Sequence, residues 1–118
     1  MLDDKENPSL APDELDQAIL RLTTLLYYTS NKAESIGIRS DIATAVRKEV
    51  YNNAFVTQEG TINEKMAKAD DESLAEKIVE IAYTRAYNKI RNKVQVGLEM
   101  LAALKKIMSR RLESWVDE

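Results

Sequence analysis

Turn-forming residues are almost absent from this sequence. Three glycines, Gly37, Gly60 and Gly97, and two prolines, Pro8 and Pro12, are all that 118 residues contain. A chain with so little punctuation has few places to reverse, which favours a few long helices over many short strands. The expectation is an all-α protein, and the positions of these five residues set its plan.

Pro12 suits the first turn of a helix, where its missing N–H costs nothing, and Asp13 and Glu14 beside it complement the positive end of the helix dipole. The first twenty residues carry six acids against Lys5 alone. Residues 1–11 are therefore expected to form an acidic, disordered leader, and residues 12–118 a helical hairpin domain. From Leu15 the apolar positions Ala18, Ile19, Leu22, Leu25, Leu26, Ala33 and Ile36 keep helical spacing, and Ile42, Ala45, Val46, Val50 and Ala54 resume it after Gly37. A glycine inside a helix costs about 1 kcal/mol relative to alanine, which packing can offset. One long helix over about residues 12–58, straight or kinked at Gly37, is expected.

Gly60 then provides a C-terminal stop, and Thr61-Ile62-Asn63-Glu64 has the form of a capping box, so a turn and short helix are placed at about 59–70. The acids Asp70, Asp71 and Glu72 are consecutive and point different ways on a helix. They are expected to cap a last helix over about 72–116 rather than to bind a metal.

In that last helix Tyr83, Tyr87, Ile90, Val94, Gly97, Leu101, Leu104 and Met108 recur at alternating four- and three-residue steps, the spacing of a coiled-coil seam. Val96, Leu98, Met100, Ala102 and Ile107 lie off it and narrow the polar side to a stripe through Asn88, Asn92, Gln95, Glu99, Lys106 and Arg110. A helix apolar over so wide an arc calls for more than one helical neighbour, and a single hairpin supplies one. The expected fold is thus a long antiparallel helical hairpin, coiled-coil-like, assembled by further copies of the chain into an oligomeric helical bundle. Its interface is placed at Val94, Leu98, Leu101, Leu104 and Met108.

Composition narrows the chemistry. With no cysteine and no histidine, disulfides, thiolate metal sites and the usual general base are excluded. No pair of acids, lysines or tyrosines has a spacing that suggests a catalytic pocket, so no catalytic residue, metal or cofactor is assigned. The apolar runs are far shorter than the roughly 20 residues that cross a bilayer. The N-terminal sequence lacks the order of a signal peptide, and a cytoplasmic protein without a membrane partner is expected.

Charge is unevenly laid out. The chain is net −3, yet between Ile81 and Leu112 eight basic residues face Glu99 alone, a window of +7. Mutual screening by the acidic leader, or a solvated face, would account for such a window. The functional reading is a phosphate-binding surface, because clustered Lys and Arg gain affinity by releasing the counterions condensed on nucleic acid. Its candidate residues are Lys89, Lys93, Lys105, Lys106, Arg110 and Arg111. Among the aromatics Tyr27, Tyr28, Tyr51, Tyr83, Tyr87, Phe55 and Trp115, the two on the seam belong to the core, and Trp115 beside Arg110 and Arg111 is the freer one to stack on a base.

Two segments, Ala86-Tyr87-Asn88-Lys89-Ile90-Arg91-Asn92-Lys93 and Leu104-Lys105-Lys106-Ile107-Met108-Ser109-Arg110-Arg111, lie on a return helix that follows a mid-chain turn. This layout resembles the small helical-hairpin proteins of phage recombination modules, in particular the UvsY-type recombination mediators. The likeness extends over roughly residues 25–115 as a pattern of helices and charges. It implies a homo-oligomer that binds single-stranded DNA and helps load a recombinase onto strands coated by a single-strand-binding protein, in the host cytoplasm if the chain is phage-encoded. The short length and acidic leader depart from the family. A structural or inhibitory hairpin that docks on another protein, without nucleic acid, is the alternative.

Overall fold

The computed structural model describes the backbone of residues 12–117 and the side chains of residues 13–114. The acidic leader and the side chain of Trp115 lie outside the described residues. Three helices follow one another, α1 (Pro12–Thr57), α2 (Ile62–Glu72) and α3 (Leu74–Asp117). No strand occurs among the described residues, so the all-α class holds.

α1 passes through Gly37 without a break. Packing accounts for this tolerance, because a Cβ built at Gly37 would meet the Tyr87 ring at 2.9 Å. The ring takes the space that a side chain would need. Thr23 and Thr24, poor helix formers in isolation, donate their hydroxyl protons back to the carbonyls of Ile19 and Leu20 at 2.7 and 2.9 Å.

The reversal is built from local chemistry. α1 ends at Thr57, and Gly60 has φ of 121°, a left-handed backbone that side chains rarely adopt. Thr61 then caps α2, its hydroxyl accepting from the Glu64 N–H at 3.2 Å. The Glu64 carboxylate, expected to return a bond to the Thr61 backbone, lies instead over Gly60.

One cap is corrected. Asp70, Asp71 and Glu72 end α2 instead of opening α3, and Ser73 is the junction. The buried Ser73 hydroxyl donates to the Ala69 carbonyl at 2.7 Å, and the Ser73 carbonyl accepts the Lys77 N–H at 3.0 Å as α3 begins. A serine that satisfies both helix ends needs no acidic cap, and Glu76 supplies the acid in the first turn of α3.

The chain divides into two compact units, a central one of Asn31–Arg91 and a terminal one of Met1–Ser30 with Asn92–Glu118. In the central unit Ser40 pairs with Thr84 at 3.2 Å and Arg47 with Glu80 at 2.8 Å, so α1 and α3 run antiparallel as a helical hairpin. Its buried apolar residues are the alanines Ala33, Ala43, Ala54 and Ala69, and small side chains of this kind let helices approach closely while contributing little apolar area each. In the terminal unit Leu15 and Leu26 are buried, and a Cβ built at Gly97 would meet Leu26 Cδ2 at 2.5 Å.

The face of α3 turned inward is the one its spacing predicts. Tyr83, Tyr87, Ile90, Val94, Leu101, Leu104 and Met108 are half-buried and Gly97 is buried, and the same 4-3 rhythm extends back through Glu80, Glu76 and Ser73. In α1 the first half follows its pattern except at Leu25, which is exposed, and beyond Gly37 the sheltered positions include Ser40, Ala43, Arg47, Val50 and Ala54. Ile42, Ala45 and Val46, expected inside, are exposed. The heptad rhythm continues there through polar residues, and the larger apolar ones fall on its flank.

Candidate functional site

The basic residues singled out in the sequence separate once placed on α3. Lys93, Lys105, Lys106 and Arg110 are exposed in the terminal unit. Lys93 and Arg110 fall on one flank at different heptad positions, Lys106 lies on the outer ridge next to Arg110, and Lys105 falls across the seam on the other flank. Lys106 and Arg110 are one turn apart. Arg111 continues the seam after Met108, is half-buried, and its Nη1 has no hydrogen-bond partner among the described residues. Lys89 is exposed on the central-unit stretch of α3.

The five exposed basic residues have no ion-pair partner among the described residues. Among the described residues the one ion pair is Arg47 to Glu80, and no carboxylate lies within ion-pair distance of Lys89, Lys93, Lys105, Lys106 or Arg110.

Aromatic side chains add a second feature that the sequence did not rank. Tyr27 and Tyr28, in the terminal unit, are both exposed and meet edge to face with ring centroids 5.5 Å apart. Adjacent residues on a helix diverge by about 100°, so spacing alone does not bring two neighbouring tyrosine rings together. Tyr83 and Tyr87 are half-buried on the seam, with the Arg91 guanidinium 5.7 Å from the centre of the Tyr87 ring.

Of the five residues assigned to an interface between copies, Val94, Leu101, Leu104 and Met108 line the face of α3 that shelters against its own chain. Leu98 is 48% exposed on the flank that carries Lys105, and the exposed Val96, Met100 and Ile107 lie across the seam from it.

In the central unit the flank of the hairpin opens a cleft of about 440 Å³ whose floor is largely Ile42, Val46, Val79 and Tyr83. The polar seam beneath it is organised around Glu80. Hydrogen bonding from the Thr44 hydroxyl holds the Glu80 carboxyl below its ordinary value, and the Arg47 guanidinium and the Lys48 charge add to this against the opposing effect of burial. That arrangement is an ion pair set between helices, without the raised acid or poised base of a proton-transfer site. No cluster of acids with metal-ligand geometry occurs among the described residues, and no described helix is long and apolar enough to cross a membrane. Comparisons with protein-family models, with curated proteins and with solved structures each give no match.

Proposed function

We propose that the chain is a non-enzymatic recombination mediator of the phage type, which assembles with further copies of itself, binds single-stranded DNA, and helps load a recombinase onto strands held by a single-strand-binding protein. The observation that carries this reading is the set of exposed cations Lys89, Lys93, Lys105, Lys106 and Arg110, without ion-pair partners among the described residues, on one helix of an acidic protein. Arg111 joins the set by sequence, though its guanidinium is partly enclosed. Tyr27 and Tyr28 strengthen the reading, since they are exposed in the same unit as Lys93, Lys105, Lys106 and Arg110, and aromatic faces together with basic residues are the parts from which sequence-tolerant single-strand sites are made. Assembly is supported by Leu98, Val96, Met100 and Ile107, apolar side chains that a lone hairpin leaves in water.

The experiment is binding of a labelled single strand at low and moderate salt by the parent and by a Lys106→Glu/Arg110→Glu variant. Neutralised phosphates make affinity fall steeply with salt. The variant should bind more weakly across all sequences and with a flatter salt dependence, at unchanged helicity. Equal binding by parent and variant, or none by either in low salt, removes the nucleic-acid reading. A structural or inhibitory hairpin that docks on another protein would then lead, and the exposed Leu20 and Leu25 on α1 are what favours it.

A further inference from the structure

The central-unit cleft has diagonally opposite charges at its two ends. Because Ser40 faces Thr84 and Arg47 faces Glu80, Arg39 on α1 lies at the Tyr83 end and Glu76 on α3 at the Val46 end. Between them the floor is apolar and open, with Ile42 57% and Val79 48% exposed. Glu76 Oε2 is buried and has no hydrogen-bond partner, and Arg39 has no carboxylate partner among the described residues. A carboxylate oxygen withdrawn from water without a donor is destabilising, and Glu76 has no ion-pair partner among the described residues.

We infer that this cleft receives a second copy of the same chain, about a twofold axis lying across it. With that axis perpendicular to the line from Arg39 to Glu76, the rotation exchanges these two positions, so each copy's Arg39 arrives at the other's Glu76. Ile42 and Val46 of one copy then close over the floor of the other. Self-complementarity of this kind is what an isologous interface demands, since every contact must occur twice. Two hairpins placed face to face also complete a four-helix arrangement, in which the alanines lining this flank permit close approach. An unrelated helix could cover the apolar floor, but it would have to bring both a cation and an anion at this diagonal spacing. A second copy carries both. The inference rests on reading the chain as an assembling protein and is independent of nucleic acid.

The test uses the full chain without DNA, with mass measured by light scattering on a sizing column at micromolar concentration. The parent should run at twice the 13.4 kDa chain mass or more. Arg39→Glu and Glu76→Arg should each lower that mass at least twofold, because each places like charges together at both contacts. Mixing the two variants in equal amounts should restore the parent mass, since each then supplies the charge the other lacks. Restoration by mixing also shows that neither variant had lost its fold. Ile42→Lys should dissociate the assembly at unchanged helicity. A parent that runs at 13.4 kDa, single variants that keep the parent mass, or a mixture no heavier than its components would each overturn the inference. Loss of DNA binding by Lys106→Glu/Arg110→Glu at unchanged mass leaves it standing, and charge-swapped restoration without any DNA binding would instead count against the mediator reading alone.

Discussion

Arg47 Nε donates to Glu80 Oε1 at 2.8 Å across the central hairpin, and both residues occupy seam positions that in an apolar coiled coil would hold leucine or isoleucine. Removing one member of a sheltered pair leaves the other without its partner, whereas replacing both by apolar residues of similar size is often neutral or stabilising. Arg47→Ala should therefore lower the melting temperature, and Arg47→Leu combined with Glu80→Leu should recover or exceed the parent value. Thermal melts followed by circular dichroism read this directly. A double variant that melts below the single one would mean that the pair does more than fill the seam.

The same carboxylate gives a pH dependence. Its value in the folded chain lies below its value in the unfolded chain, through Thr44, Arg47 and Lys48. The stability it contributes is then fully present above the unfolded carboxylate value of about 4.3 and lost as pH falls through the lower folded value. The difference in melting temperature between the parent and Glu80→Gln should be largest near neutral pH and close in acid. A difference that widened on acidification would contradict the direction of the shift.

These predictions fall in the part of the fold that was hardest to read from sequence. The seam of α3 from Tyr83 to Met108 is legible because its large apolar residues are themselves the sheltered ones. α1 beyond Gly37 is not, because Ser40, Ala43 and Arg47 are sheltered while Ile42 and Val46 are exposed, and a reading that follows hydrophobicity picks the flank in place of the seam. The heptad rhythm is unbroken through both stretches, so carrying the phase of Leu26 and Ala33 forward would have found it. The Ser73 junction was missed for a related reason. Three acids ahead of an apolar run resemble an N-cap, and nothing in the sequence shows that the adjacent serine hydroxyl reaches back to the Ala69 carbonyl. Of the basic residues of the candidate surface, Arg111 continues the seam register that Lys106 and Arg110 escape.

Gly97 and Leu26 meet where α1 and α3 pack in the terminal unit. A Cβ at Gly97 would come to 2.5 Å from Leu26 Cδ2, and Leu26 is buried. Gly97→Ala gains about 1 kcal/mol of helix propensity but must displace a packed side chain, for which overpacking typically costs about 1–3 kcal/mol. A net loss of up to about 2 kcal/mol is expected. Leu26→Ala alone should cost about 2–5 kcal/mol, and the double variant less than the sum, because the new methyl occupies part of the space the leucine leaves. Additive denaturation free energies would show that the two side chains do not compete for one volume.

Leu98 and Leu101 separate the fold from the assembly, because they lie three residues apart on α3 yet differ in exposure. Leu101 is half-buried on the seam facing the rest of its own chain, and Leu98 is 48% exposed on the outside. An aspartate at the first position is driven into an apolar contact with no partner for its charge, which places Leu101→Asp among the severely destabilising classes of substitution. Its helical signal should weaken and its unfolding midpoint collapse. Leu98→Asp on an isolated hairpin should change stability by no more than about 0.5 kcal/mol, as surface substitutions usually do. If Leu98 is covered by another copy, the same substitution should lower the mass measured by light scattering while the circular dichroism spectrum keeps its helical form. A Leu98→Asp protein of unchanged mass would leave that flank of the terminal unit to solvent.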